Sequence, residues 1–153
     1  MTKPFPLQPL LNLAVMKNES ATRRLGQLNK QEYDSQCQLD MLQQYRRDYQ
    51  ERMQAASMQG MDQATLKNYQ QFIYKLDTAI TQQKKAVEQS RISTQIGRGE
   101  FTGTQRKLKS FDTLQQRHNT QESKIEAKRE QRSTDEHTSR VTAYKILNTE
   151  THK

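Results

Sequence analysis

Ser57-Met58-Gln59-Gly60-Met61-Asp62 is the stretch on which the fold turns. Gly60 suits the left-handed backbone position that follows a helix end, because it has no Cβ to clash there. Asp62 is placed to cap the N-terminus of a following helix, its carboxylate accepting from the first free N–H groups. On both sides of this stretch apolar residues recur in heptads, and the two heptads are out of phase. The reading is helix, short turn, helix: an antiparallel hairpin.

Working back from the turn, the a positions 11, 18, 25, 32, 39, 46 and 53 hold Leu, Asn, Leu, Glu, Leu, Arg and Met. The d positions 7, 14, 21, 28, 35, 42, 49 and 56 hold Leu, Ala, Ala, Leu, Ser, Leu, Tyr and Ala. Working forward, Leu66, Ile73, Ile80, Val87, Thr94, Phe101 and Leu108 are the a positions, and Tyr69, Leu76, Gln83, Ser90, Gly97, Thr104 and Phe111 the d positions. Only 31% of the chain is apolar, so an apolar excess on these positions marks coiled-coil seams. Folding at Gly60 sets each a against a d. Leu42 then faces Ile80, Tyr49 faces Ile73 and Ala21 faces Phe101, small against large as close packing requires.

Composition supports the same class. The 31% apolar share lies well below the roughly 45–50% of an ordinary globule, and there is no Trp. A deep spherical core is excluded; a chain with one narrow seam is not. The 22 Gln, with frequent Lys, Arg and Glu, are good helix formers. All three prolines, Pro4, Pro6 and Pro9, stand at the N-terminus, which predicts an extended start and a helix opening at Pro9. The expected organisation is a single coiled-coil domain over residues 1–153, with helix 1 about 9–57, a turn about 58–62, helix 2 about 63–140 and a frayed C-terminal tail. Roughly 45 residues per arm at a rise of about 1.5 Å would make a rod of about 65–70 Å. Gly97, Gly99 and Gly103 fall inside the second helix, where each costs roughly 1 kcal/mol against Ala. Because Val87, Phe101 and Leu108 keep phase across them, a continuous but softened helix is expected, the alternative being a loop at 97–103.

A net charge of +8 fits an acidic partner without choosing one. Eight Lys or Arg against four acids in residues 105–132 keep nucleic-acid binding open as an alternative, although a solvated helix with mixed charge has the same pattern. No nucleic-acid partner is expected on balance. A single cysteine, Cys37, rules out an intramolecular disulfide and fits a reducing compartment. No apolar run has the length of a membrane span and no signal-peptide pattern is present, so a cytoplasmic protein without membrane insertion is expected.

No catalytic constellation, cofactor motif or metal-ligand spacing appears, and no enzymatic activity is expected. Gly97-Arg-Gly-Glu-Phe-Thr-Gly103 follows no strand and leads to no Gly-Lys-Ser/Thr, so it is not a phosphate loop. His118, His137 and His152 are far apart and unrelated in spacing to Cys37, which falls on an outer f position.

One feature exceeds what a two-helix seam needs. Tyr45 and Phe72 occupy g positions. They widen the seam into two stripes, Gln38, Leu42, Tyr45, Tyr49 and Phe72, Leu76, Ala79, Gln83, which the hairpin lays side by side on one flank. Aromatic residues in an exposed apolar patch are the usual anchors of a protein interface. The alternative is a broadened seam whose rings fold over the helix edge.

The same residues carry a resemblance. Leu42-Gln-Gln-Tyr45-Arg-Arg-Asp-Tyr49 and Asn68-Tyr69-Gln70-Gln71-Phe72-Ile73, with Leu76, Ala79 and Ile80 following, resemble the FliJ family of the bacterial flagellar type III export apparatus. Leu10 to Ala14, Leu25-Gly26, Arg106-Lys-Leu108 and Thr113-Leu114-Gln115 extend the likeness over about residues 7–117. The resemblance implies an antiparallel coiled coil similar to the central stalk of rotary ATPases. It implies a stalk and adaptor that works with the export ATPase hexamer and its regulator, the cytoplasmic linker of the membrane export gate, and flagellar export chaperones. It implies a place at the inner face of the cell membrane, peripherally held at the flagellar base. It also implies a gate-binding set of Gln38, Leu42, Tyr45, Tyr49, Phe72, Leu76 and Ala79. Where a His is familiar in the family, this chain has Gln83, and the three glycines depart from the family's uninterrupted helix. The same stalk in a lateral flagellar or virulence secretion system is a further alternative.

Overall fold

A computed structural model describes residues 2–152 and contains two α-helices among them, α1 (Gln8–Met58) and α2 (Gln63–Glu150). The fold is all-α, a two-helix antiparallel coiled-coil hairpin. It divides into two compact units, Lys17–Gln105 and the pair of segments Met1–Met16 and Arg106–Lys153.

The Lys17–Gln105 unit holds the turn. Gly60 has φ +93°, the left-handed conformation that lets α1 stop, and its N–H reaches the Ser57 carbonyl at 3.3 Å. The Asp62 carboxylate accepts from the Thr65 N–H at 2.9 Å, and the Asp62 carbonyl from the Leu66 N–H at 3.2 Å, so Asp62 is the cap of α2. Hydrogen bonding from the Thr65 side chain, and then from its backbone N–H, holds the Asp62 carboxyl below its ordinary range.

Along this unit the a and d residues of both helices are buried or half-buried throughout, from Asn18 to Ala56 and from Leu66 to Thr104. Leu39, Leu76 and Ile80 form its most buried apolar layer, at 7–8% exposure. Where the heptads place polar residues inside, they bond across the seam. Ser35 and Ser90 hydroxyls meet at 3.3 Å, and Gln83 Nε2 donates to the Ser35 carbonyl at 2.9 Å. Thr94, 1% exposed, directs its hydroxyl toward the carbonyls of Ser90 (2.9 Å) and Leu28 (3.3 Å). Polar layers of this kind fix register because a slipped pairing leaves them unsatisfied. Residues 97–103 are helical, as the heptad phase required, and Gly97 is buried in the seam.

In the other unit the first turns of α1 pack on α2. Leu11 and Ala14 are buried, at 7% and 6% exposure. Pro9 lies in the first turn of α1, where its missing N–H has no intrahelical partner to lose. The segment before α1 lies along α2: Phe5 meets the His118 ring at 5.6 Å, the His118 Nε2 is 2.9 Å from the Lys3 carbonyl, and the Lys3 N–H donates to Glu122 at 3.2 Å. Beyond Glu122 every described residue is exposed, yet α2 continues to Glu150, past the limit near 140 expected from sequence. The turns beyond Glu122 hold many Lys, Arg and Glu, good helix formers, and thread Thr hydroxyls back to carbonyls four residues earlier, as Thr138 does to Thr134 and Thr142 to Thr138.

Candidate interaction flank

The two edges of the hairpin near Tyr45 differ in chemistry. In an antiparallel pair the e positions share one edge and the g positions the other. The e edge is polar: Gln43, Gln50, Gln70, Asp77 and Lys84. It is tied across the seam by an ion pair from the Arg46 guanidinium to Asp77, and Arg46 also donates to Gln50 at 3.0 Å. Asp77 holds the Arg46 guanidinium more firmly in its charged form.

The g edge is apolar and open. Tyr45 is 56% exposed and Phe72 41%. The Phe72 ring leans across the seam onto Tyr49, centroids 4.2 Å apart and planes inclined 35°, and Tyr49 also meets Tyr69 at 5.3 Å. This ladder joins Tyr49 and Phe72 and partly covers both. Both readings of the flank therefore have a share: Phe72 folds partly over the edge, while Tyr45 stands out into solvent. Leu42, Tyr49 and Ala79 are half-buried beneath them. Leu76 is different. At 8% exposure it belongs to the seam core and forms the floor under the flank rather than part of its surface. Gln38 is exposed and receives a 3.3 Å hydrogen bond from Gln83 Nε2, so the two stripes close at this end through a pair of amides.

One member was missed by the sequence reading. Met41, four residues before Tyr45 and thus on the same side of α1, is 56% exposed and lengthens its apolar ridge. The i, i+4 spacing to an exposed tyrosine was the available signal. It was overlooked because Met41 falls on a c position, outside any two-helix seam. Cys37 is exposed, on the outer face that its f position required. Among the described residues no cluster of His, Cys, Asp and Glu is arranged to hold a metal ion. No helix among them is long and apolar enough to cross a membrane.

The fold and its flank define the class: a coiled-coil hairpin with one edge tied by an ion pair and the other left aromatic and open. Comparison with known proteins gives the family. The sequence pattern of the flagellar FliJ protein matches residues 2–145. The flagellar FliJ protein of Escherichia coli (strain K12) is 30% identical over 135 residues, which span 88% of this chain and 92% of that protein. The flagellar FliJ protein of Salmonella typhi is 27% identical over 135 residues, with the same coverage of 88% and 92%. No solved structure matches. The chain belongs to the FliJ family and is a component of the flagellar type III protein export apparatus.

Proposed function

We propose that this chain is the stalk and adaptor of the export apparatus, joining the export ATPase ring to the membrane export gate. It works by binding and catalyses no reaction. The gate's cytoplasmic linker docks on Gln38, Leu42, Tyr45, Tyr49, Phe72 and Ala79, with Leu76 as the floor that holds these residues in place. The unit built from Met1–Met16 and Arg106–Lys153 enters the ATPase hexamer, where it also meets the ATPase regulator. Export chaperones released by their cargo are further partners. The protein acts in the cytoplasm, held peripherally at the flagellar base.

The observation that supports this reading is the asymmetry of the edges. A hairpin serving only as a spacer has no use for a solvent-facing Tyr45 and Phe72 on one edge while Arg46 and Asp77 close the other. The positive charge of +8 by itself favours no nucleic-acid role, because the basic residues of 105–132 are interspersed with acids, as on a solvated helix. The test is a Tyr45→Ala, Phe72→Ala double variant in cells. Export and swimming are lost while the purified variant keeps its helical circular dichroism. Undiminished export would remove the flank as the gate site.

A further inference from the structure

We infer that the gate segment binds this flank as an amphipathic α-helix of about three turns, laid lengthwise on the g edge as a third helix of the bundle, with Met41 forming part of its seat. This rests on reading the flank as the gate-docking site, and it states what form the gate takes there.

The argument begins with what each packing needs. A two-helix seam is complete with a and d alone, whereas a helix with two helical neighbours carries a third apolar position per heptad, at e or g. α2 carries that third position at g in three successive heptads, α1 carries it at g at Tyr45, between Gln38 and Arg52, and the hairpin turns both g edges the same way. Tyr45 on α1 and Phe72, Ala79 and Ala86 on α2 make up the set; Ala79 and Ala86 are already half-buried. The pattern is that of a helix pair with a seat for a third helix, its stripe continuous on α2 and met on α1 by Tyr45.

A helix suits this groove for a second reason. An extended segment needs its backbone N–H and C=O groups paired, and the usual source is a free sheet edge. Here the rims are α-helices whose backbones are already paired within themselves. A segment that satisfies its own backbone asks of the groove only apolar contact and shape. The stripe from Gln38 to Tyr49 covers about 16–17 Å at a rise of about 1.5 Å per residue, or about three helical turns.

The residues also set a polarity for the occupant. The groove is crowded near the turn, where Tyr49 and Phe72 stack at 4.2 Å. It is deeper further along, where α2 presents only the small Ala79 and Ala86. The incoming helix therefore sets small side chains between Tyr45 and Phe72 and large ones over the two alanines. Its flanks are chosen by charge. Asp34 and Asp48 are exposed at c positions on the α1 rim, beside Met41; Lys75 is exposed at a c position on the α2 rim, and Arg52 at g on α1 near the turn. A helix with basic residues over Asp34 and Asp48 and acids toward Lys75 and Arg52 is complementary; the reverse placement sets like charges together.

The test uses the full chain and a synthetic peptide covering the cytoplasmic linker of the same organism's export gate protein, labelled with 13C. On titration, the peptide's carbon shifts become helical over about ten residues. A single proline placed mid-segment weakens binding by about a hundredfold. Met41→Glu weakens it by about tenfold while the chain's own helicity is unchanged. Binding that leaves the shifts extended, or that tolerates the proline, overturns the helical form and leaves the gate-docking reading in place. A peptide that shows no binding at all overturns both.

Discussion

Leu28 is seated on Gly97: a Cβ built at Gly97 would lie 2.6 Å from Leu28 Cδ1 and 3.7 Å from Leu25 Cδ1. The glycine is a notch that lets α1 and α2 approach closely one turn beyond Thr94, which is itself almost wholly buried. Gly99 and Gly103 have no such neighbour, and a Cβ at either would meet nothing within 4 Å. The three glycines thus separate into one that is packed and two that are only tolerated.

The separation predicts opposite responses to alanine. Gly99→Ala and Gly103→Ala each remove backbone freedom from the unfolded chain and add a good helix former in open space, so each should stabilise by about 0.5–1 kcal/mol. Gly97→Ala gains the same helix propensity, but it drives Leu28 off its rotamer at a cost of about 0.5–1.5 kcal/mol, so no net gain is expected. Gly97→Val should be clearly destabilising, because its branched methyls have no room beside Leu28 and Leu25. Urea unfolding followed at 222 nm checks the ranking. Equal gains at all three glycines would mean the notch has no packing role.

Much of this was legible in the sequence because a coiled coil writes its core at fixed intervals. Leu39, Leu76 and Ile80 were on the a and d rows, and Gly60 and Asp62 announced the turn and the cap. What the rows hid came from two sources. Seam membership does not report depth, so Leu76 read as part of the open flank when it lies beneath it. Positions outside the seam carry no periodic signal, so Met41 was passed over, as was the packing of Phe5 and Lys3 along α2. Those contacts depend on how an irregular, proline-bearing segment is steered, which no helical period encodes.

Opposite edges of the hairpin should respond differently to substitution. Asp77→Ala breaks the Arg46 pair on the e edge, but both side chains are substantially exposed, at 37% and 48%, and pairs of this kind contribute little. Export and thermal midpoint should remain close to wild type. Tyr45→Ala, four residues from the turn of helix carrying Tyr49 but on the g edge, should leave the midpoint unchanged and reduce export strongly. Parallel export assays and melting curves on the two single variants decide it; a loss of export for Asp77→Ala equal to that for Tyr45→Ala would move the contact surface around the hairpin.

Asp62 supplies a pH test of the turn. Its folded carboxyl is depressed by the side-chain and backbone bonds to Thr65. A depressed folded value means that its contribution is fully present above the ordinary carboxylate range and is lost as pH falls through the folded value. Asp62→Asn keeps an acceptor for the Thr65 N–H but cannot titrate there, so its melting temperature should fall less than that of the wild type on acidification below about pH 4. Asp62→Ala removes the acceptor and should melt lower at every pH. Melting curves between pH 2 and pH 7 separate the three proteins, and identical acid slopes for wild type and Asp62→Asn would show that the cap is not what titrates.

Asn18 presents the converse case, a polar seam residue that is not satisfied. It holds an a position, half-buried, and its Oδ1 is buried without a hydrogen-bond partner. An orphaned acceptor costs about 1–3 kcal/mol relative to an apolar neighbour of similar shape, so Asn18→Leu should stabilise the hairpin on that order. The residue has a second consequence. A polar a position penalises alternative pairings, in which it would face apolar residues of another chain, and an all-apolar seam loses that penalty. Asn18→Leu should therefore melt higher and also self-associate more readily than the wild type. Sedimentation velocity on both proteins, read beside their urea curves, tests the two effects separately: a gain in stability without any new oligomer would mean that Asn18 burdens the fold without selecting it.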